Sequence, residues 1–323
     1  MDTDIIISAG DPERIPEVYR WGIDLIRGIQ TIESPGLTAV MRVVTEAVWA
    51  YVLVTLFILW CVDERKGLRL GIILILSAWI NGTLKLLLRR PRPYQLDPSV
   101  GRGFEGSYGM PSGHAQMSLV FWVPLGIWVN KRIGRAGTWI GVILLVLVIS
   151  FTRLYLGLHF PADLLGGWLL GGLILGIYVI FGPSLERLLA AGGTRPRMIS
   201  SALAAFLMNT LYPGDVRFGA LLLGFGAGYS LMLERFPVSA RGMIRGNPPG
   251  AIRLLARYVL GLAGIGALYW GSRSLFGGSL LPGNYYRLGR FIQYGLLGFW
   301  ASAGAPWLFS RLGLAEKKDI PLS

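Results

Sequence analysis

Two polar segments, each holding one of the chain's two histidines, carry residue types that could do chemistry. In the later segment, His159 precedes Asp163 by four residues, about one helical turn, so a carboxylate–imidazole hydrogen bond is within reach. Such a bond fixes the imidazole tautomer and raises its basicity. Pro161, between them, suits the first turn of a helix. The pattern indicates nucleophilic or acid–base chemistry at a helix start.

The earlier segment, Pro111-Ser112-Gly113-His114, opens a long apolar run. A turn that leads into a helix presents free backbone N–H groups and the positive end of the helix dipole, and together these bind anions. The Ser112 hydroxyl can add a donor, and Gly113 lets an oxyanion approach the backbone, with His114 beside it. The same residues also fit an ordinary N-cap followed by an incidental histidine.

A third segment supplies cations near the end of another apolar run. Lys85 and Arg92 are seven residues apart, nearly two helical turns, so both can face one point. A charge inside a span costs about 2.5–3.5 kcal/mol, so Lys85 needs a partner or a use, unless it snorkels to the interface. Together with Arg153, these cations and the two imidazoles predict a site for a phosphoryl group. Because the histidines and Asp163 are then already employed, we expect no metal and no other cofactor.

The composition indicates which elements must hold these residues. The 323 residues are 53% hydrophobic and 15% charged, with a mean hydropathy of +0.54. A soluble domain carries about 25% charged residues. These values exclude a soluble two-domain protein, a disordered chain, a collagen-like repeat and a coiled coil. The single cysteine, Cys61, excludes an internal disulfide framework.

Nine apolar runs approach the length of about 20 residues that a spanning helix needs. They cover residues 36–62, 69–88, 112–130, 137–152, 162–182, 198–213, 217–233, 252–271 and 289–310. We therefore predict an all-α integral membrane protein with about nine transmembrane helices. Residues 35–183 would form the core that contains the three polar segments, and residues 184–323 would add accessory transmembrane helices.

The first 34 residues are predicted to form an interfacial segment. The chain starts without a basic leader before an apolar core, so we expect no signal peptide. Residues 14–31 have helical spacing, and the apolar residues on one side of that helix would be Ile15, Val18, Trp21, Leu25, Ile26 and Ile29. Such an amphipathic helix either lies flat on the membrane or packs against the helix bundle, and the sequence favours neither.

Basic residues predict the orientation. The net charge of +13 could indicate nucleic acid, but basic loops at a membrane surface explain it better in so apolar a chain, so no nucleic-acid partner is expected. Basic residues are more numerous on one side, which holds loops 63–68, 131–136, 183–197 and 234–251 and the C-terminal tail, and the difference from the opposite side widens once Arg92 and Arg153 are set aside. These loops would be cytoplasmic, which places the N-terminus and the polar site outside, with a bacterial cytoplasmic membrane as the expected location.

Order and spacing within the three segments resemble a known signature. Lys85-x6-Arg92-Pro93, then Pro111-Ser112-Gly113-His114, then Arg153-x5-His159-x3-Asp163 resemble the three-part motif of the type-2 phosphatidic acid phosphatase superfamily. The resemblance covers residues 85–163, and the family fold would cover 35–183. One departure is Thr152, where the family usually has serine; threonine keeps the hydroxyl.

The resemblance implies a role for each residue. His159 would be the nucleophile that forms a phosphohistidine, Asp163 would orient it, and His114 would protonate the leaving group. The groups implied to hold the phosphoryl oxygens are Lys85, Arg92, Ser112, the Gly113 backbone and Arg153.

The implied activity is that of a membrane phosphatase acting on a lipid phosphate or lipid pyrophosphate, with the bilayer as its surroundings. Undecaprenyl pyrophosphate, phosphatidic acid, phosphatidylglycerol phosphate and sphingoid phosphates are all candidate substrates. The span layout resembles the glucose-6-phosphatase and sphingosine-1-phosphate phosphatase branches, so a sugar phosphatase stays open. A lipid phosphotransferase and a non-catalytic lipid-binding or transport relative are further alternatives, and the oligomeric state is left open.

Overall fold

The protein is all-α in the part that the structure, a computed structural model, describes: residues 15–236, 238, 249–276 and 283–315. The helices are α1 Glu17–Gln30, α2 Pro35–Glu46, α3 Ala50–Phe57, α4 Glu64–Leu88, α5 Pro93–Leu96, α6 Gly113–Ile133, α7 Arg135–Tyr155, α8 Pro161–Ala191, α9 Thr194–Leu211, α10 Arg217–Arg235, α11 Ala251–Phe276, α12 Gly283–Phe299 and α13 Ala305–Arg311. Short π-helical turns follow α3 and α12, at Ile58–Val62 and Trp300–Gly304.

Five segments within the described ranges are long and apolar enough to cross a membrane. They are Pro35–Val62, Glu64–Leu96, Arg135–Tyr155, Pro161–Ala191 and Ala251–Leu275. The four other predicted runs are also helical, in α6, α9, α10 and α12–α13, but they do not meet that standard of length and hydropathy. The prediction of about nine transmembrane helices is therefore confirmed only for these five.

The chain divides into two compact units. Unit 1 comprises Met1–Tyr51 and Ile80–Val179, and unit 2 comprises Val52–Trp79 and Ile180–Ser323. Every residue predicted to act on a phosphoryl group belongs to unit 1. Residues 1–14 of the predicted N-terminal segment lie outside the described residues. Four basic residues that contribute to the predicted orientation also lie outside them: Arg241, Arg245, Lys317 and Lys318.

Helix α1 combines features of both predicted alternatives. Ile23 and Ile26 are buried within unit 1, whereas Val18, Trp21 and Leu25 are exposed. The predicted apolar stripe is therefore split between a packed face and a free apolar face. At the end of the helix, Gln30 Nε2 donates to the backbone oxygens of Val100 and Tyr155, both at 2.8 Å.

Close helix packing in unit 1 depends on glycine. A Cβ at Gly167 of α8 would lie 2.5 Å from the Ser112 backbone oxygen and 3.1 Å from Ala115 Cβ, so only glycine lets α8 approach the start of α6 this closely. After α7, Gly157 turns the chain with a φ of +67°, and a Cβ there would meet the Val100 oxygen at 2.0 Å. These two contacts set the positions of the second and third polar segments.

Unit 2 contains the remaining helices, with α10 packed against α9 and α12. Trp60 Nε1 donates to the Ala301 oxygen at 2.8 Å, and Trp300 Nε1 donates to the Gly261 oxygen at 3.0 Å, so indole donors satisfy backbone carbonyls next to the π-helical turns. Arg257, which interrupts the eighth predicted run, is buried and donates to the Leu314 oxygen at 2.6 and 2.9 Å.

Candidate active site

His159 and Asp163 form the predicted pair at the start of α8. His159 Nδ1 lies 3.3 Å from Asp163 Oδ2, and the same oxygen accepts from the Phe160 backbone N–H at 2.9 Å. Both side chains are buried. Burial, followed by the charge of Arg92, holds the pKa of His159 well below its ordinary value of 6.5. The imidazole is therefore neutral at pH 7.

Arg92 determines which nitrogen of His159 carries the proton. Its Nη1 lies 3.3 Å from His159 Nε2 and also donates to the Leu158 oxygen at 2.8 Å. A guanidinium group can only donate, so Nε2 must present its lone pair. The proton is then on Nδ1, where it faces the Asp163 carboxylate.

Lys85 and Arg92 both hold the loop that precedes α6. Lys85 Nζ donates to the Tyr108 oxygen at 2.8 Å and to Ser107 Oγ at 3.3 Å. Arg92 Nε donates to the Ser107 oxygen at 2.6 Å, and its Nη2 donates to Ser107 Oγ at 3.0 Å. Lys85 is buried, so it turns into the site instead of snorkelling to the membrane interface.

Arg153 comes from the end of α7 and is almost wholly buried. Its Nη1 donates to Thr45 Oγ1 at 2.7 Å, and its Nη2 donates to Glu105 Oε1. Its Nε has no hydrogen-bond partner among the described residues. Arg153 therefore keeps one unused donor in a buried place, where an unpaired polar group is costly.

Glu105 is the site residue that sequence reasoning missed. Its Oε2 lies 2.7 Å from Arg92 Nη2, its Oε1 accepts from Arg153, and Oε1 is 3.9 Å from His114 Nδ1. Burial alone would raise the pKa of this carboxyl group, but Arg153 and Arg92 outweigh burial and lower the pKa to about 2. A signal existed, because Asp97 and Glu105 are the only acidic residues between Pro93 and Thr152.

The second polar segment caps α6, which begins at Gly113. Ser112 Oγ accepts from the Ala115 N–H at 3.5 Å, and the Ser112 N–H donates to the Asp163 backbone oxygen at 2.9 Å. Ser112 is thus an N-cap, as one alternative held. His114 is not incidental, because it lies beside Glu105 within the same site.

Asn81 is a second residue that the sequence did not single out. Its Nδ2 donates to the Pro111 oxygen at 3.2 Å and to Gln116 Oε1 at 2.7 Å, which ties α4 to the start of α6. A Cβ at Gly113 would lie 3.1 Å from Asn81 Oδ1. Glycine at this position therefore keeps both the cap and the amide in place.

Thr152, the departure from the family pattern, is buried next to Arg153. Its hydroxyl donates to the Ile149 oxygen at 2.7 Å, within its own helix. The extra methyl group is accommodated without displacing Arg153 from its bonds to Thr45 and Glu105.

The three segments therefore meet in unit 1. Guanidinium groups from two segments, Arg92 and Arg153, meet at Glu105, and Arg92 also lies against the imidazole of His159. The first turn of α6 adds backbone N–H groups that have no intrahelical acceptor. Such an arrangement can bind a phosphoryl group and offer it a neutral imidazole nitrogen.

Two family models match the chain. One, described as PAP2 superfamily, matches residues 66–186, and the other, described as PAP2 superfamily phosphatase, transmembrane extension, matches residues 216–317. The chain belongs to the PAP2 superfamily. The first match contains all three polar segments, and the second lies in the region where the sequence analysis found no motif. With the five apolar helices described above, the matches identify the chain as an integral membrane protein of the PAP2 superfamily.

Two curated relatives are similar to this chain over 61% of their own length. Undecaprenyl-diphosphatase of Sulfolobus acidocaldarius is 31% identical over 142 residues, which cover 40% of this chain and 61% of the relative. Sphingosine-1-phosphate phosphatase 2 of Mus musculus is 28% identical over 222 residues, which cover 63% of this chain and 61% of the relative. The matches thus span less than two thirds of either relative.

A solved structure, described as a transmembrane PAP2 type phosphatidylglycerolphosphate phosphatase from Bacillus subtilis, is also similar. It is 22% identical, with a TM-score of 0.45, and the match covers 54% of this chain and 90% of that one.

Proposed function

We propose that this protein is a metal-independent membrane phosphatase that hydrolyses a lipid phosphate or lipid pyrophosphate through a phosphohistidine on His159. The observation that carries the proposal is the orientation of one imidazole. Asp163 lies on its Nδ1 side and Arg92 on its Nε2 side, both at 3.3 Å. A neutral imidazole with a fixed tautomer next to a guanidinium group is arranged for attack on a bound phosphoryl group.

In the first step, Lys85, Arg92 and Arg153 hold the phosphoryl oxygens. The lone pair of His159 Nε2 forms a bond to phosphorus, and the bond from phosphorus to the leaving oxygen breaks. His114, which takes up a proton when the dianionic phosphate binds beside it, gives that proton to the leaving oxygen. The Asp163 carboxylate stabilises the positive charge that develops on His159.

In the second step, a water molecule attacks phosphorus and the P–N bond breaks. His114, now neutral, takes the proton from the water, and inorganic phosphate leaves. Ser112 and the Gly113 backbone, at the positive end of α6, would stabilise the charge on the phosphoryl oxygens in both steps.

A lipid substrate fits the position of the site along the helices. Lys85 lies in the last turn of α4 and His114 in the first turn of α6, so the phosphoryl group would bind at headgroup depth. Phe104, 76% exposed, packs its ring against that of Tyr94 in α5, and exposed aromatic rings are common at membrane interfaces. Two relatives whose names state a lipid phosphate or diphosphate substrate add support.

Independence from metal fits the charge of the site. Arg92 and Arg153 flank Glu105, and Asp163 already accepts from His159 and from the Phe160 backbone. A divalent cation would have to displace these cations and donors. We therefore propose turnover in the presence of a chelator and inhibition by vanadate, which mimics the pentacoordinate phosphoryl state.

The finer topology is also a proposal. Nine crossings, with the loops richest in Lys and Arg in the cytoplasm, would put the active site on the outer face of a bacterial cytoplasmic membrane.

The test is phosphate release by the purified full chain in mixed micelles with EDTA. The panel contains phospholipid, sphingoid and isoprenoid phosphates and glucose 6-phosphate. We expect a higher kcat/KM for at least one lipid phosphate than for glucose 6-phosphate. We also expect that His159→Ala has the Tm of wild type but shows no turnover. Wild-type turnover by His159→Ala would end the nucleophile assignment. Preference for glucose 6-phosphate would contradict the lipid substrate. Activity that needs added divalent metal would contradict metal independence.

A further inference from the structure

Glu105 places an anion of the protein's own in the proposed phosphoryl site. Its two carboxylate oxygens are divided between two guanidinium groups, Arg92 at 2.7 Å and Arg153. Carboxylate and phosphate oxygens bind guanidinium groups with the same fork-like geometry. Glu105 thus uses donors that the proposed function assigns to the substrate.

The carboxylate is also the member of this cluster that can leave. The side chain of Glu105 is 28% exposed, whereas those of Arg92 and Arg153 are 0% and 1% exposed. Without Glu105, the guanidinium groups keep other acceptors, including the Leu158 oxygen and Thr45 Oγ1. Movement of this one partly exposed side chain would therefore open the site and leave its buried cations fixed.

The position of the loop depends little on this side chain. Tyr94 OH donates to the Glu105 backbone oxygen at 2.6 Å, and Lys85 Nζ and Arg92 Nε bind the backbone oxygens of Tyr108 and Ser107. None of these bonds involves the Glu105 carboxylate. Its replacement should therefore leave the loop in place, unlike that of a residue whose only role is to anchor the loop.

We propose that Glu105 is a specificity-determining residue: its carboxylate occupies the phosphoryl site until a dianionic terminal phosphate displaces it, and it keeps out the phosphodiesters of the surrounding bilayer. This inference rests on the proposed function. A phosphate monoester carries a charge of about −1.5 to −2 at pH 7. A phosphodiester carries one charge, which only equals that of the carboxylate it must replace. The monoester also has a third free oxygen, which can accept from the unused Nε of Arg153.

Discrimination of this kind matters in a membrane, where phosphodiester lipids surround the site. A ligand that must displace an internal competitor binds more weakly, because its apparent Kd equals the intrinsic Kd divided by the fraction of time that the site is open. That cost applies to every anion, but the extra charge and third oxygen of a monoester offset it. A phosphodiester has neither, so Glu105 disfavours the more abundant lipid.

The test compares wild type, Glu105→Gln and a matched control, Glu33→Gln, in the purified full chain. Glu33, between α1 and α2, accepts at 2.6 and 2.7 Å from Arg102, which lies on the same loop as Glu105. Calorimetry with inorganic phosphate should give a Kd about tenfold lower for Glu105→Gln than for wild type, as expected if the carboxylate occupies the site about 90% of the time. Glu33→Gln should bind phosphate like wild type. Phosphatidylglycerol added to mixed micelles should inhibit phosphate binding more strongly in Glu105→Gln than in wild type.

An unchanged or higher Kd for phosphate in Glu105→Gln, or unchanged inhibition by phosphatidylglycerol, would overturn the proposal. If Glu105→Gln does not fold, Glu105→Asp is tested in its place. Its shorter side chain keeps the charge but cannot reach both arginines, so this variant too should bind phosphate more tightly than wild type.

The calorimetric readout does not need turnover. Tighter binding by Glu105→Gln in a chain without phosphatase activity would reject the proposed function alone, and turnover with unchanged phosphate affinity would reject the role of Glu105 alone.

Discussion

The proton on His159 Nδ1 decides what this side chain can do. With Asp163 on one side and Arg92 on the other, the imidazole has one tautomer that satisfies both neighbours. That tautomer directs the Nε2 lone pair toward the cations of the site. Asp163 therefore acts through His159, as a positioning residue, and makes no contact with the phosphoryl group in the proposed mechanism.

Asp163→Asn should lower kcat by about 10²–10⁴-fold with little change in KM, because an amide can donate to Nδ1 and so favour the wrong tautomer. Steady-state kinetics with the preferred lipid phosphate measures both constants, and acid-quenched samples report the phosphohistidine. Asp97→Asn is the matched control, since Asp97 pairs with Arg27 at 2.8 Å and caps a nearby turn. Equal kcat in the two variants would contradict the positioning role.

Sequence reasoning found the residues whose roles follow from local spacing. The four-residue step from His159 to Asp163 and the cap at Ser112 both appear in the structure as local contacts. Glu105 and Asn81 were missed because their partners are distant in sequence: Glu105 meets Arg153 across 48 residues, and Asn81 meets Gln116 across 35. Residues with such distant partners leave no periodic pattern to detect.

Helix packing turns these separate segments into one site. The Ser112 N–H donates to the Asp163 oxygen, so the start of α6 and the start of α8 are joined directly. Gly167 lies one turn further along α8, at the point of closest approach to α6. The spacing of the helices there fixes the distance between the start of α6 and His159.

Gly167→Ala should destabilise the protein by about 1–3 kcal/mol, because the added methyl group overpacks the contact with the Ser112 oxygen. The matched control is Gly172→Ala in the same helix, where an added Cβ would have nothing within 4 Å. That change should leave Tm the same or higher, since alanine favours helix over glycine by about 1 kcal/mol. Thermal unfolding in detergent measures both variants. The packing argument fails if Gly167→Ala unfolds at the temperature of Gly172→Ala.

A long apolar run was enough to predict that a segment is helical. It was not enough to predict which helices span the membrane or which face of a helix is buried. All nine runs became helices, but the hydropathy of α6, α9, α10 and α12 does not by itself mark a span. In the predicted amphipathic helix, spacing grouped Ile15 and Ile26 with Val18, Trp21 and Leu25, although of these five only the two isoleucines are buried. Periodicity shows which face of a helix is apolar. It does not show whether that face contacts lipid or another part of the protein.

Topology is the property of the complete chain that most needs a direct measurement. Five helices have span-like length and composition, and the proposed nine crossings depend on four more. An odd number of crossings puts the two termini on opposite sides. Under the proposed function, the side of the membrane that holds the loop before α6 decides which lipid leaflet supplies the substrate.

A cysteine introduced by Ser99→Cys on a Cys61→Ala background should react with a membrane-impermeant thiol reagent in intact cells. Ser99 is exposed on the loop before α6, and Cys61, the chain's one cysteine, is buried. Labelling is compared before and after the cells are opened. Protection of the new cysteine until opening would reverse the proposed orientation and place the site in the cytoplasm.

The contacts made by Gln30 and Thr45 bear on how this protein should be divided for experiments. Gln30 donates to the Val100 and Tyr155 carbonyls, and Thr45 accepts from Arg153. Gln30 and Thr45 nevertheless both precede residues 66–186, which the PAP2 superfamily model matches. A fragment cut to the conserved stretch would retain every motif and lose these supports. Buried carbonyls and a guanidinium donor would then be left unpaired, at about 1–3 kcal/mol each. The boundary of homology is therefore not a safe place to cut, and an excised catalytic unit should begin before Glu17.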